Sequence, residues 1–455
     1  MEWKELVRNT VNSPEKLVDH FPDFELDLEE LKRVHEEFPI RVNPYYLSLI
    51  KEPGDAIWKQ VVPDSRELVP NGYDDPLGEE GDSQVLNVTH RYPDRALFYV
   101  NYMCPIYCRF CTRKRKVGDP YSIPNDNLER GLNYIREHPE IRDVIISGGD
   151  PLMMTDRRIE QVVSGLRSIE HLEIIRIGSR VPVTLPQRIT PELCKILKQY
   201  HPFYINTHFN HPREVTAETE RACSLLADAG IPLGNQTVLL RGVNDDAEIM
   251  KELMKKLLAI RVKPYYIYQA DLVFGTDHFR TSVEKGLEIV SALRGHISGL
   301  GVPHYVIDAP NGGGKIAVSP DPVITFNEKE ITFNSKMSLF DLMSFYRVLL
   351  SKNFASNIKI IEKVYSNEKE FFNFNDINQK NYKSNEIIEK KLLKNNKIVN
   401  FLNLQSFLIE NFDIKSNNNK FYGWNIFEEK SGFTIFIGFN NQKIIGCYIN
   451  QINLN

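Results

Sequence analysis

Between Arg95 and Gly295 the chain alternates two hydrophobic patterns. Short apolar runs, "RALFYVNYM", "RDVIISGG", "LEIIRIGS", "PFYINTHF", "IPLGNQTVLL" and "KPYYIYQA", read as strands. Between and after them lie stretches with apolar residues at i, i+3, i+4 and i+7, such as "LERGLNYIREH", "RRIEQVVSGLRSI" and "DAEIMKELMKKLLAI", which read as amphipathic helices. Six successive strand-then-helix units predict an α/β fold, because right-handed crossovers keep consecutive strands parallel and put the helices outside the sheet. A closed barrel of this kind needs eight units, so the pattern predicts an open, six-unit partial β/α barrel with its site at the C-terminal strand ends. The barrel is expected over residues 91–325, after a mostly helical region over 1–90.

Composition divides the chain again. All 25 prolines lie at or before Pro322 and all eleven histidines at or before His304, while the residues beyond about 340 keep a single arginine, Arg347, and are rich in Asn, Lys, Phe and Ile. Residues 345–455 are therefore expected to form a separate, small α+β extension. Within it "FYGWNIFEEKSGFTIFIGFNNQKIIGCYINQ" alternates apolar and polar residues around turn signals, as a short β-meander does. A net charge of -4 and a pI near 6.3 give no long-range reason to expect nucleic acid or a membrane surface as partner. The N-terminus is charged from Glu2, without an apolar signal core, and no window approaches the roughly 18 apolar residues of a membrane span, which points to the cytoplasm. Six cysteines are too few for a secreted disulfide framework.

Three of them, Cys104, Cys108 and Cys111, fall in "YMCPIYCRFCTRKRK" with spacing C-x3-C-x2-C, just after the first barrel strand. Four thiolates would close a tetrahedral zinc site or saturate an iron–sulfur cubane, whereas three leave one coordination position open. A structural zinc completed by a distant His or Cys is the alternative, although such sites usually pair their cysteines and no second pair exists. The second strand ends in "SGGDP", which alone is a turn with an acceptor, Asp150. "DAPNGGGK" ends the barrel pattern; Ile316 after the lysine excludes a Walker A loop, leaving a surface turn or a Schiff-base lysine. The run "RKRK" reads as a solvated face or, less readily, a nucleic-acid patch.

The cysteine loop after the first strand of a partial barrel resembles the radical S-adenosylmethionine (SAM) superfamily. The resemblance implies that Cys104, Cys108 and Cys111 hold three irons of a 4Fe-4S cluster, with SAM chelating the fourth. It also implies that Ser147, Gly148, Gly149 and Asp150 hold the SAM amino group. Phe110 fills the aromatic position usual before the last cysteine. The ordered segments "THRYPDRALF", "SGGDPL", "RIGSRVPVTLPQRIT", "INTHFNHPREVT", "NQTVLLRGVND", "ADLVFGTDHFRTSVEKGLEIV" and "APNGGGK" are similar to the lysine 2,3-aminomutase family over about residues 1–320. That similarity implies pyridoxal 5'-phosphate (PLP) on Lys315, with its phosphate on Arg91 and Arg95. By the same token Arg113 would bind the substrate carboxylate, His208 and Gln236 would lie near SAM, and Asp271 and Asp308 would hold the substrate ε-ammonium. The implied reaction moves the α-amino group of L-lysine to C3, or acts likewise on arginine or ornithine. It needs an electron donor such as flavodoxin or ferredoxin, and a homo-oligomer without nucleic-acid or membrane partners is expected. The rival reading is a non-catalytic iron–sulfur protein. One departure stands out: the family's C-terminal zinc-binding cysteines are missing, only Cys447 remaining there.

Overall fold

Each of the six apolar runs becomes a strand followed by helix, in a computed structural model that describes residues 2–118 and 123–320 and, beyond them, the backbone of short strand segments. Nine strands line up in chain order: β1 (Val88–Tyr92), β2 (Arg95–Asn101), β3 (Asp143–Gly148), β4 (Ile174–Gly178), β5 (Phe203–Thr207), β6 (Leu233–Leu239), β7 (Val262–Gln269), β8 (His304–Ala309) and β9 (Gly314–Val318). Strands β2 to β8 are parallel, while β1 and β9 run antiparallel at the two edges. The fold is thus α/β with a mostly parallel sheet. The sequence reading stopped at six units and missed a seventh parallel strand, β8. Its run "HYVIDA" is short, carries a charge next to its end, and leads through a glycine turn into β9 instead of into a helix.

Side chains alternate in the expected way. Val144, Ile146, Ile175, Ile177, Phe203 and Ile205 of β3 to β5 are buried against helical residues such as Ile159, Val162, Val163 and Leu166. The helices start where their caps dictate: Thr155, Thr216, Asp246 and Ser282 each accept a backbone N–H from the first turn of Asp156–Arg167, Ala217–Asp228, Ala247–Ala259 and Val283–Leu293. Each cap is worth about 1 kcal/mol.

The edges of the sheet come together. Gly312, in the turn after β8, has φ +82°, and a Cβ built on it would stand 3.2 Å from Nε of Arg91 on β1.

The chain divides into two units, Met1–Pro320 and Asp321–Asn455. The N-terminal helices, among them Trp3–Arg8, Pro14–His20 and Leu28–Glu37, belong to the first unit and share its hydrophobic core through Leu6, Leu17 and Leu31. In the second unit, Leu408–Ser416, Asn419–Glu428, Ser431–Asn440 and Lys443–Asn453 form a sequential antiparallel sheet. The helical part of the expected α+β extension lies outside the described residues.

Candidate active site

The cysteine loop between β2 and the helix Asn125–Glu137 is pinned from three sides. Arg109, 2% exposed, forks onto the fully buried Glu67 at 2.8 and 2.7 Å and donates to the carbonyls of Phe38 and Pro39. Arg41 donates to the Cys104 carbonyl at 3.1 Å. Phe110 packs among Leu240, Val243, Ala270 and Phe279. So held, Cys104, Cys108 and Cys111 line one cavity of about 260 Å³ together with Phe38, Ile106 and Phe274. Burial raises the thiols of Cys104 and Cys111, and the negative charge of neighbouring thiolates raises them further. Among the described residues no three His, Cys, Asp or Glu side chains are arranged around a single metal ion. The three thiols share a cavity instead, and an iron–sulfur cluster takes one thiolate per iron. Cationic iron would relieve the thiolates' mutual repulsion, so the residues fit such a cluster.

The glycine element sits beside this loop for a local reason. Gly148, at φ +139°, and Gly149 lie under the backbone of Asn101–Met103, where a Cβ would come within 2.0 and 2.5 Å of carbonyl oxygens. The closest approach here is made by the cysteine loop's own strand. Asp150 is buried, and its oxygens accept from Leu152 N, Ser179 Oγ, Arg180 N and Val181 N at 2.7–3.1 Å. Four donors use the lone pairs of a carboxylate, so Asp150 in this structure caps the Ser179–Val181 turn. Arg180 in turn reaches Cys108 Sγ at 2.8 Å and Glu214 at 2.7 Å, and its Nε donates to the His208 carbonyl. Burial, with the Arg180 charge beside it, lowers His208 to about 3 despite its bond to Asn210, so its ring is neutral. Gln236 stands at the bulge where β6 pairs with Tyr266 of β7.

At the other end of the site, Asp308 on β8 and Lys315 on β9 are register partners, and Lys315 Nζ lies 2.7 and 2.8 Å from the two Asp308 oxygens. The same Nζ stands 4.7 Å from the ring centre of Tyr268. Asp271, just after β7, is pushed up to about 7, first by burial and then by the Asp308 charge, against the pull of Lys315. The three groups therefore belong to one electrostatic cluster. Arg91 pairs with Asp82 at 2.6 Å, and Arg95, more exposed, pairs with Asp94 at 3.0 Å while covering the Tyr92 ring. Arg113 forks onto Glu79 at 3.0 and 2.7 Å and reaches Ser147 Oγ at 3.3 Å.

The neighbours of Arg113 correct the expectation of a solvated face. Side chains of Arg113, Lys114, Arg115 and Lys116 are only 22, 12, 17 and 24% exposed and pair with Glu79, Glu67, Asp75 and Glu80 respectively. Each cation of the run thus already has a carboxylate partner in the same chain. Sequence reading missed Glu67, Glu79, Arg180 and Glu214. The only signal for Glu79 was the acidic cluster in "DDPLGEEGD", and nothing local pointed to Glu214.

A model of the radical SAM superfamily matches residues 98–254, and one described as lysine-2,3-aminomutase matches residues 290–336. An L-lysine 2,3-aminomutase from Clostridium subterminale is 51% identical over 335 residues, covering 72% of this chain and 80% of that protein. The chain belongs to the lysine 2,3-aminomutase family. Members of this radical SAM family are isomerases, and superfamily membership implies a 4Fe-4S cluster and SAM. A second L-lysine 2,3-aminomutase, from Methanococcus maripaludis, is 52% identical over 313 residues, 68% of this chain and 72% of its own. The family's substrates vary: a glutamate 2,3-aminomutase from Clostridioides difficile is 47% identical over 301 residues, 65% of this chain and 71% of its own. No helix among the described residues is long and apolar enough to cross a membrane.

Proposed function

We propose that this family member is a PLP-dependent 2,3-aminomutase acting on L-lysine to give L-β-lysine. The observation that carries the reading is Asp308 paired with Lys315 beside Asp271. Two carboxylates sharing one end of the sheet need a cation, and Lys315 supplies one. Were Lys315 to carry PLP, that cation would be taken up by the cofactor, and the terminal ammonium of a substrate would balance Asp271 and Asp308 in its place. A cation about 4 Å from a carboxylate gains roughly 4 kcal/mol at an effective dielectric of 20 before desolvation, enough to separate a cationic from an anionic side chain.

The residues also suit the cofactor. Lys315 projects from a glycine turn that packs on Arg91, so a phosphate-binding guanidinium and the candidate attachment amine flank the same turn. When bound, the cluster and SAM supply a radical that removes hydrogen from the substrate, and PLP supports nitrogen migration. The chain's own part is positioning. Arg91 and Arg95 take the cofactor phosphate, Arg113 takes the substrate carboxylate, and Asp271 with Asp308 takes the far ammonium, so the carbon between is held at both ends. His208, Gln236 and the Ser147–Asp150 element are assigned to the SAM side. We also read residues 91–325 as a partial barrel, in a cytoplasmic enzyme reduced by a flavodoxin or ferredoxin.

Anaerobic incubation of cofactor-loaded protein with lysine, ornithine, arginine and glutamate tests the reading, with β-amino acid products measured. Lysine is expected to be turned over fastest and glutamate not at all. Faster turnover of glutamate would remove the acidic pair as the selector.

A further inference from the structure

We propose that Glu79 is a positioning residue that sets which edge of the Arg113 guanidinium faces the substrate carboxylate; the inference rests on the reading of Arg113 given above. An arginine has two edges able to fork onto a carboxylate, one made of Nε and Nη2, the other of Nη1 and Nη2. Glu79 occupies the first, with Oε2 3.0 Å from Nε and Oε1 2.7 Å from Nη2. Only the Nη1–Nη2 edge remains, and its Nη1 points to Ser147 Oγ, 3.3 Å away on β3. The Tyr99 ring, 5.2 Å from the guanidinium carbon, restricts its plane.

Glu79 is built in. It is 6% exposed, and its carbonyl accepts from the Ser83 hydroxyl at 2.8 Å and from the Thr89 hydroxyl on β1 at 3.3 Å. The next turn is tied to the same strand by His90 N donating to the Asp82 carbonyl at 3.0 Å. Burial alone would raise the Glu79 carboxyl, but the Arg113 charge and fork, together with the nearby Arg115 charge, outweigh it and hold it down at about 2, so it remains an anion. Glu79 therefore balances Arg113 as well as orienting it. A substrate carboxylate is then recognised by two directed N–H donors of a neutral pair, which favours planar carboxylate geometry over any nearby anion.

The test uses the reconstituted holoenzyme without SAM, so that no turnover occurs, and reads dissociation constants for L-lysine and L-lysinamide from the change in cofactor absorbance. Glu79→Gln is expected to weaken lysine binding about tenfold and lysinamide binding by less than about twofold, because only lysine presents the carboxylate that the fork serves. Glu79→Asp keeps the charge but withdraws the fork, and is expected to lie between. Iron and PLP content with a thermal melt establish that each variant is folded; if Glu79→Gln is not, Glu79→Asp decides alone. Equal weakening for both ligands, or none for lysine, overturns the inference. Arg113→Lys separates this from failure of the underlying reading. If it too treats lysine and lysinamide alike, Arg113 is not the carboxylate site and both fall. If it selectively weakens lysine while the Glu79 variants do not, only the role of Glu79 falls.

Discussion

At the scale of single residues, Asp271 offers the sharpest consequence. Burial and the Asp308 charge push its carboxyl up to about 7, so in the free enzyme the proton is held below that pH and lost above it. Binding an ammonium needs the ionised form. The value of kcat/KM for lysine, which reports groups of the free enzyme, is therefore expected to rise with pH through about 7 or above, because attaching a cofactor to Lys315 would remove the charge that pulls Asp271 down. Asp271→Asn should flatten that limb and lower kcat/KM on its alkaline side at least about tenfold, or about 1.4 kcal/mol. A pH profile unchanged in the variant would remove Asp271 from substrate recognition. The chemistry of this residue was legible only in part. Its place in "YQADLVFG" suggested a strand-end carboxylate, but its displaced pKa depends on Asp308 and on burial, which are set by residues distant in sequence.

At the scale of elements, the N-terminal helices act as a clamp on the cysteine loop. Glu67 is fully buried and serves two cations of that loop, Arg109 at 2.7 Å and Lys114 at 2.8 Å. Removing one partner of a buried pair leaves an uncompensated charge, so Glu67→Ala is expected to cost about 3–5 kcal/mol. The loop should then hold its cluster poorly: a lowered Tm accompanied by iron content below that of the wild type is the expected result. Normal iron content at an unchanged Tm would show that the clamp is dispensable. The six helix-linked strands were readable because hydrophobic periodicity is a local signal, carried by neighbours along the chain. Strand β8 was not, since six residues of mixed burial carry too little periodicity, and its pairing with β7 and β9 is a tertiary choice.

At the scale of the molecule, two boundaries nearly coincide. The structural division falls between Pro320 and Asp321, and the family match ends at residue 336, shortly before the composition changes. Removing residues 345–455 is expected to leave iron content and PLP absorbance per chain unchanged. Loss of either would mean that the extension takes part in the site.

Cysteine spacing, the order of the six helix-linked strands, and the glycine turn before Lys315 were determined by the sequence alone, because spacing and periodicity are properties of contiguous residues. What the positive run Arg113–Lys116 is for was decided only in three dimensions. Its charges looked free along the chain, yet folding brings Glu67, Asp75, Glu79 and Glu80 onto them. Asp150 changed in the same way, from an open acceptor in a turn to a cap saturated by four donors. Charge pairing acts over a few ångströms in space whatever the separation in sequence, so the partners of a buried charge appear only once the chain has closed around it.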